Sequence, residues 1–326
     1  MILFVNNFSK ADSTSNMNLT SLPVPSRQSA YVFLVLSSML AVLIITGNSL
    51  VIAAYRKNTR LQTRTNVFIV SLAVSDLLVG SISVPIWTYL TFVNYEQDLD
   101  GFFEFFINFD RFSALASIFH LTAISLERYM AISRPFDHGM RSFRFYKYMV
   151  ISAWITAGGM TILSVFSKLF AFTAVSTVIV FTFGFLLQAV LMLTVYVRIF
   201  RTARALIDRT PNTRTEESIR NRVREERKVA LTVSVVTILF LLAWLPFFVM
   251  SMLGQFCMHC FPEGDAQNTL VTFAKWMHYT NSGVNPLVYA FRDKEMRCSF
   301  MKLIRIRGSE QGGLRRSHFA VEFMSR

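Results

Sequence analysis

Seven apolar stretches, each long enough to cross a membrane as a helix, constrain the fold more than any other feature of this sequence. A spanning helix needs about 20 mostly apolar residues to cross the hydrocarbon core of a bilayer. The stretches are Tyr31–Tyr55, Val67–Tyr89, Phe103–Ile132, Tyr148–Phe166, Phe172–Phe200, Val229–Gly254 and Thr269–Phe291. Because 53% of the residues are hydrophobic and only 16% are charged, an ordinary soluble domain is excluded. The sequence therefore predicts an all-α integral membrane bundle of seven transmembrane helices.

The basic residues are distributed unevenly along the chain. A formal charge of +13 in a soluble protein would suggest a nucleic-acid partner, but here Lys and Arg crowd alternate connections between the apolar stretches. They are Arg56, Lys57, Arg60 and Arg64, then Arg134, Arg141, Arg144 and Lys147, then the basic residues of 198–228. Basic connections stay on the cytoplasmic side of a membrane. The pattern predicts a multi-pass plasma-membrane protein with an extracellular N-terminus, a cytoplasmic C-terminus and no nucleic-acid partner.

Three regions follow from this topology: an extracellular tail (1–29), the transmembrane bundle (30–292), and a cytoplasmic amphipathic helix with the C-terminal tail (293–326). Asn7 and Asn18 begin N-glycosylation tripeptides in the first tail. After the seventh stretch, apolar residues recur with helical spacing, which predicts a short helix lying on the inner membrane surface among membrane lipids. These residues are Met296, Phe300, Leu303 and Ile304.

Three cysteines are too few for a disulfide framework. Cys257 and Cys260 are spaced for a local disulfide or for half of a metal site. Cys298, beside the predicted amphipathic helix, is a candidate for palmitoylation, with a free buried thiol as the alternative.

The third apolar stretch carries ionisable residues, which are costly inside a bilayer. Asp110 and Arg128 are eighteen residues apart, or five helical turns and about 27 Å. They therefore share one helix face at opposite ends of the membrane. An acid near the extracellular end and a base near the cytoplasmic end are suited to a protein that transmits a signal across the membrane. The alternative is a pair of salt bridges that only hold helices together.

Six short motifs occur along the predicted helices. They are Gly47-Asn48, Leu72-Ala73-Val74-Ser75-Asp76, Glu127-Arg128-Tyr129, Trp154, Trp244-Leu245-Pro246 and Asn285-Pro286-Leu287-Val288-Tyr289. Together they make residues 30 to 305 resemble the rhodopsin-like class of G-protein-coupled receptors, and most of all its biogenic-amine and trace-amine group. The resemblance implies a receptor that binds a small extracellular ligand and activates a heterotrimeric G protein, with arrestin as a further partner. It implies no enzymatic activity and no required cofactor.

The resemblance also implies roles for residues near the cytoplasmic side. Arg128, in the sequence Glu127-Arg128-Tyr129, would be held inactive by Glu127 and by Glu226 and then freed to meet the G protein. Tyr196 and Tyr289 match the family's tyrosines that restrain the opened state. Pro246 and Pro286 interrupt helix hydrogen bonding and supply kinks about which helices can move.

A second constellation of polar residues is expected near the membrane midplane. Its members are Asp76, Ser117, Asn281, Ser282 and Asn285. A carboxylate with amide and hydroxyl oxygens is suited to a hard cation, and the set matches the family's sodium pocket residue for residue. The resemblance thus implies sodium as an allosteric ligand. The alternative is a hydrated polar core that binds no specific ion.

A third set of residues is expected to line an outer pocket. Its members are Asp110, Trp244, Phe247, Phe248, Lys275, Trp276 and Tyr279. Asp110 occupies the place where amine receptors keep the aspartate that pairs with a protonated amine, and Tyr279 is in position to hydrogen-bond it. A carboxylate among aromatic walls suits a small organic cation. The sequence therefore favours a biogenic amine as the ligand.

Several departures from the family pattern keep alternatives open. Phe103 replaces the cysteine of the usual outer disulfide, and Gln188 replaces a proline of the fifth helix. Arg111 and Lys275 could neutralise Asp110 or favour a zwitterionic or acidic ligand. Lys275 lies one helical turn from the position of the opsin lysine, so an atypical opsin is a weaker alternative. A transporter or channel is disfavoured because the sequence has no internal repeat.

Overall fold

Seven long helices and a shorter terminal one form the described part of the chain, which comprises residues 27–92, 100–133, 140–209, 234, 237–257, 260 and 265–311 of a computed structural model. The helices are α1 (Arg27–Lys57), α2 (64–92), α3 (Asp100–Ser133), α4 (Phe143–Leu169), α5 (173–209), α6 (Thr237–Phe256), α7 (Asp265–Arg292) and α8 (Lys294–Gln311). No strand occurs among these residues. The all-α prediction is confirmed. The tail with Asn7 and Asn18 lies outside the described residues, as does Glu226.

Five of the helices in the described ranges, α1, α2, α4, α5 and α6, are long and apolar enough to cross a membrane by length and composition. The other two long helices, α3 and α7, carry most of the ionisable side chains that are buried in the bundle. Asp110, Glu127 and Arg128 are buried on α3, and Lys275 and His278 on α7. The predicted sixth stretch begins at Val229, outside the described residues, and only its part from 237 on can be compared.

Side chains are distributed in the way that a lipid environment requires. Large apolar residues are exposed along the outer faces, such as Met39 of α1 and Ile155 of α4, which are 64% and 68% exposed. Polar residues lie inside, where Asn48, Ser113 and His120 are fully buried. One interior network joins three helices, because the Trp154 indole donates to the Ser71 hydroxyl, which also bonds the His120 ring. The interior polar groups therefore hold the helices together.

Two helices contain a π-helical segment. In α2 the segment is Val79–Ser83, immediately before Pro85. In α5 it is Val180–Leu186. Gln188, which stands where the family usually has a proline, follows this segment. The Gln188 side-chain amide donates to the Phe183 carbonyl at 3.1 Å. A π-segment disturbs the regular backbone ladder, and this side chain supplies a donor to one of its carbonyls.

Helices α1 and α7 approach closely where the first motif meets the last. A Cβ on Gly47 would lie 3.0 Å from Cγ of Pro286, so a larger residue would force the two helices apart. Asn48, next in sequence, donates to the Ser282 carbonyl at 3.0 Å. The small residue and the amide together fix α7 against α1 near its proline kink.

The predicted amphipathic helix is α8. Met296 and Phe300 are buried against Val51 and Ala54 of α1, while Ile304 is 58% exposed. Its start is fixed by Asp293, whose carboxylate accepts from the backbone amides of the next turn. Cys298 is a free thiol of intermediate exposure.

Cys257 and Cys260 form a local disulfide, which is the first of the two interpretations offered by their spacing.

Candidate functional site

A cavity of about 100 Å³ opens between α3, α4, α5, α6 and α7. Five predicted ligand-binding residues line it: Asp110, Trp244, Phe247, Phe248 and Lys275. Two others, Trp276 and Tyr279, do not. The Trp276 ring packs edge-on against Phe33 of α1, and Tyr279 is buried behind Lys275.

Lys275 of α7 forms an ion pair with Asp110 of α3 inside the bundle. Both residues are only 3% exposed. In such surroundings an ion pair is only weakly screened, and removal of one partner leaves a costly buried charge. The position predicted to bind a ligand's ammonium is therefore occupied by the ammonium of Lys275.

Four aromatic rings surround the same ammonium. The Lys275 nitrogen lies 5.2 Å from the ring centres of Phe106 and Phe247, 5.6 Å from Trp87 and 5.7 Å from Tyr279. A cation is attracted to the face of an aromatic ring within about 6 Å. The rings come from α2, α3, α6 and α7, so the bundle builds a cage for one positive charge beside Asp110.

The cage contains polar atoms without a hydrogen-bond partner among the described residues. They are Asp110 Oδ1, the Ser83 and Tyr279 hydroxyls and the Trp87 indole nitrogen. The two hydroxyls face Asp110, but the predicted hydrogen bond from Tyr279 is not closed. Buried polar groups without partners are unusual in folded proteins. The Ser83 and Tyr279 hydroxyls are thus directed at the Asp110 carboxylate, whereas the Trp87 indole nitrogen has no acceptor among the described residues.

Three members of this cage are not among the ligand-binding residues predicted from the sequence: Ser83, Trp87 and Phe106. A usable signal existed within the third helix, because Phe106 precedes Asp110 by four residues and must share its face. Ser83 and Trp87 are likewise one turn apart on α2. Nothing in the sequence brings that face of α2 toward Asp110, because this depends on how the helices pack.

An aromatic column continues from the cavity toward the membrane midplane. The Phe248 ring stacks on Phe185 of α5 at 4.3 Å and lies 5.8 Å from Trp244. Trp244 in turn contacts the buried His278 ring of α7, with centroids 3.8 Å apart. A ligand that shifts any wall of the cavity would therefore press directly on contacts between α5, α6 and α7.

Below the column lies the predicted midplane constellation. Asp76 is buried, and its Oδ2 accepts from the Asn285 amide at 2.9 Å, while the Ser282 hydroxyl faces the same carboxylate. Asp76 Oδ1 and the Asn281 side-chain nitrogen have no partner among the described residues. The Ser117 hydroxyl bonds Ser75 and the Ser113 carbonyl. A buried carboxylate oxygen without a donor fits a cation of the sodium type.

Near the C-terminal end of α3, Glu127 and Arg128 form a paired fork. Arg128 Nε lies 2.6 Å from one carboxylate oxygen and its Nη2 lies 2.8 Å from the other. Thr65 of α2 joins them, since its hydroxyl donates to Glu127 at 3.0 Å and also contacts Arg128. Both charged residues are buried. Two-point pairing is the strongest carboxylate geometry available to a guanidinium.

Two further predicted switch residues, Tyr129 and Tyr196, lie near this fork. The Tyr196 hydroxyl of α5 bonds Ser125 of α3 at 2.9 Å and Thr237 of α6 at 3.2 Å. It therefore ties three helices together at their inner halves. Tyr129 packs partly buried against the same core, whereas Tyr289 packs against the cluster of α1, α2 and α8.

A seven-helix bundle with a charged cavity toward one end, buried polar side chains in its middle and an ionic fork toward the other end has the architecture of a polytopic membrane receptor. The family model described as "7 transmembrane receptor (rhodopsin family)" matches residues 47–289. The chain belongs to this family, which is a family of signalling receptors and not of enzymes.

Several relatives carry the names of amine receptors. The octopamine receptor beta-1R of Drosophila melanogaster is 26% identical over 80% of this chain, but the match covers only 59% of that receptor's own length. The D(1)-like dopamine receptor of Oreochromis mossambicus is 31% identical over 78% of this chain and 74% of its own. For the trace amine-associated receptor 13c of Danio rerio the identity is 30%, over 79% of this chain and 81% of its own.

Proposed function

We propose that this protein is a plasma-membrane receptor that binds a small extracellular amine and activates a heterotrimeric G protein. The observation that carries the proposal is Asp110, a buried carboxylate with one unpartnered oxygen in an aromatic cage at an internal cavity. A carboxylate with aromatic walls binds an ammonium by a charge-assisted hydrogen bond and by cation–π attraction. The relatives named for octopamine, dopamine and trace amines support the same ligand class.

The inner fork supports coupling to a G protein. Arg128, Glu127 and Thr65 lie where cytoplasmic ends of α2 and α3 meet, if the basic connections face the cytoplasm. Outward movement of α6 would break the Tyr196–Thr237 bond and open a basic cleft beside Arg128. A G protein, and arrestin in its turn, would bind this cleft, while α8 would rest on membrane lipids. In this orientation the tail with Asn7 and Asn18 is extracellular and glycosylated.

Asp110→Asn tests the amine proposal. Truncating one partner of a buried charge pair costs about 2–5 kcal/mol, so the potency of an amine agonist should fall by roughly 30-fold or more. The measurement is a cyclic AMP and calcium dose–response series over biogenic amines. Glu295→Gln is the matched control, because it removes an exposed carboxylate that pairs with Arg60, and neither residue lines the cavity. Equal potency at the wild-type receptor and Asp110→Asn would reject the amine proposal.

We also propose that the midplane constellation holds a sodium ion as an allosteric ligand. Asp76, Ser117, Asn281, Ser282 and Asn285 would supply the oxygens, and the unpartnered Asp76 oxygen supports this assignment. Asp76→Asn should then abolish the effect of replacing sodium by potassium on agonist affinity. A wild-type receptor whose agonist affinity ignores that replacement supports a hydrated polar core instead. Asp293→Asn, which changes a carboxylate that caps α8, should leave the sodium effect in place.

A further inference from the structure

Two further basic side chains line the cavity besides Lys275. They are Arg111 of α3 and Lys168 of α4. Lys168 is neutralised there, because its ammonium pairs with Glu104. Arg111 also lines the cavity, and within the described residues no carboxylate forms an ion pair with it.

Most N–H donors of the Arg111 guanidinium make no hydrogen bond to the described residues. A guanidinium has five N–H donors, and among the described residues its only hydrogen-bond acceptor is Asn108 Oδ1 at 3.0 Å. Asn108 is itself held in place, since its amide nitrogen donates to the Glu104 carbonyl at 2.8 Å. A neutral amide thus positions the guanidinium, while the carboxylates of Glu104 and Asp110 act on its charge without a hydrogen bond to it among the described residues. A planar fork of free donors suits a carboxylate or a similar planar acid.

The walls of the cavity differ in chemistry. On the α6 and α7 side they are aromatic, as described above. On the α4 and α5 side, hydroxyls of Ser164, Ser167, Thr173, Ser176 and Thr177 line the cavity together with the apolar Val180 and Phe181. All three serines are buried, and the Ser176 hydroxyl donates to the Ser167 hydroxyl at 2.7 Å. The cavity therefore accommodates an apolar cation beside its aromatic walls and a hydrated or acidic group beside its hydroxyls.

A count of charges at the cavity disfavours a simple amine. Asp110 and Lys275 cancel each other, as do Lys168 and Glu104, so Arg111 leaves the empty cavity with one positive charge. A ligand with only an ammonium would double that charge in a space of low dielectric, at considerable cost. A ligand with both an ammonium and an acid leaves the net charge unchanged.

We propose that the ligand is a small zwitterion whose acid group is bound by Arg111. This inference rests on the proposed function, because the ligand's ammonium takes the place of Lys275 at Asp110. The displaced Lys275 ammonium then needs an acid, which the same ligand provides. Arg111 is thus the specificity-determining residue that separates acidic amines from plain amines.

Thermal unfolding of the purified full-length receptor tests this inference without a signalling assay. A ligand that binds only the folded state raises the unfolding midpoint. The probes are ω-amino acids with one to six methylene groups, their methyl esters, and the alkylamines and alkanoic acids of matching length. We expect the best amino acid to bind at least about tenfold more tightly than its ester or amine, a ratio obtained from the midpoint shifts. Arg111→Gln should remove that preference, whereas Arg111→Lys should retain part of it.

The controls separate this inference from the proposed function. Arg144→Gln makes the same change at an exposed arginine and should leave the preference intact. An Arg111→Gln receptor that still prefers acids to esters, or a series in which no amino acid stabilises the receptor, overturns the inference. If alkanoic acids bind as well as amino acids, and Asp110→Asn does not alter this, the proposed amine function fails instead.

Discussion

Replacement of Arg128 with alanine is expected to abolish nucleotide exchange on a G protein. Arg128 lies near the C-terminal end of α3, where it is held by a two-point pair with Glu127. A guanidinium released from that pair would need a new acceptor, which the docked G protein would provide. Guanine-nucleotide exchange in membranes that contain the receptor and a purified G protein is the measurement, with and without agonist.

Loss of the guanidinium also leaves Glu127 as a buried charge, which can destabilise the bundle. The double variant Glu127→Gln with Arg128→Ala removes both charges and therefore isolates the signalling contact from folding. Surface labelling should show the double variant at near wild-type levels, yet without exchange activity. Arg144→Ala, at an exposed position on α4, should signal normally. Intact exchange by the double variant would mean that the fork only holds α2 and α3 together.

The length and hydropathy of the apolar stretches were enough to predict the helical bundle. Transmembrane helices must be apolar over a fixed length, so the spans could be located without knowledge of their contacts. Helix ends were harder, because α3 begins at Asp100 and α5 continues to Arg209, beyond the apolar stretches. Such extensions lie outside the hydrocarbon core, where hydropathy no longer reports on helix length.

The site was predictable where it depends on one helix at a time. The spacing of Asp110 and Phe106 on α3 follows from helical geometry, and so does that of Lys275 and Tyr279 on α7. The sequence offered Arg111 and Lys275 as alternative partners of Asp110, and only packing between α3 and α7 decides that Lys275 forms the pair. Likewise, the orientation of α2 that brings Trp87 of α2 to the Lys275 ammonium is set by contacts between helices. Interhelical rotation has no short-range signal in a sequence.

Removal of the Lys275 ammonium is expected to have the opposite effect to removal of Asp110. In Lys275→Met the side chain keeps similar length but leaves Asp110 and the four aromatic rings without their cation. A binding-competent state that is open only about 1–10% of the time weakens apparent affinity by about 10- to 100-fold. If Lys275 closes the site to that extent, simple amines should bind Lys275→Met about 10- to 100-fold more tightly than the wild type. Competition binding with a series of alkylamines and aryl-alkylamines measures this gain.

The gain at Lys275→Met should depend entirely on Asp110. In the double variant Asp110→Asn with Lys275→Met neither charge remains, so the cage is neutral and the receptor should fold. Its affinity for amines should be lower than that of Lys275→Met. The difference should be at least as large as the affinity that Lys275→Met gains over the wild type. A double-mutant cycle of the two single variants and the double variant isolates this coupling from changes in folding. ω-Amino acids should gain less affinity than amines, because their acid group, bound by Arg111, loses the additional attraction of the displaced Lys275 ammonium. If Lys275→Met instead weakens amines and the cycle shows no coupling, Lys275 cannot be a competitor for the amine position, and its pair with Asp110 only joins α3 to α7.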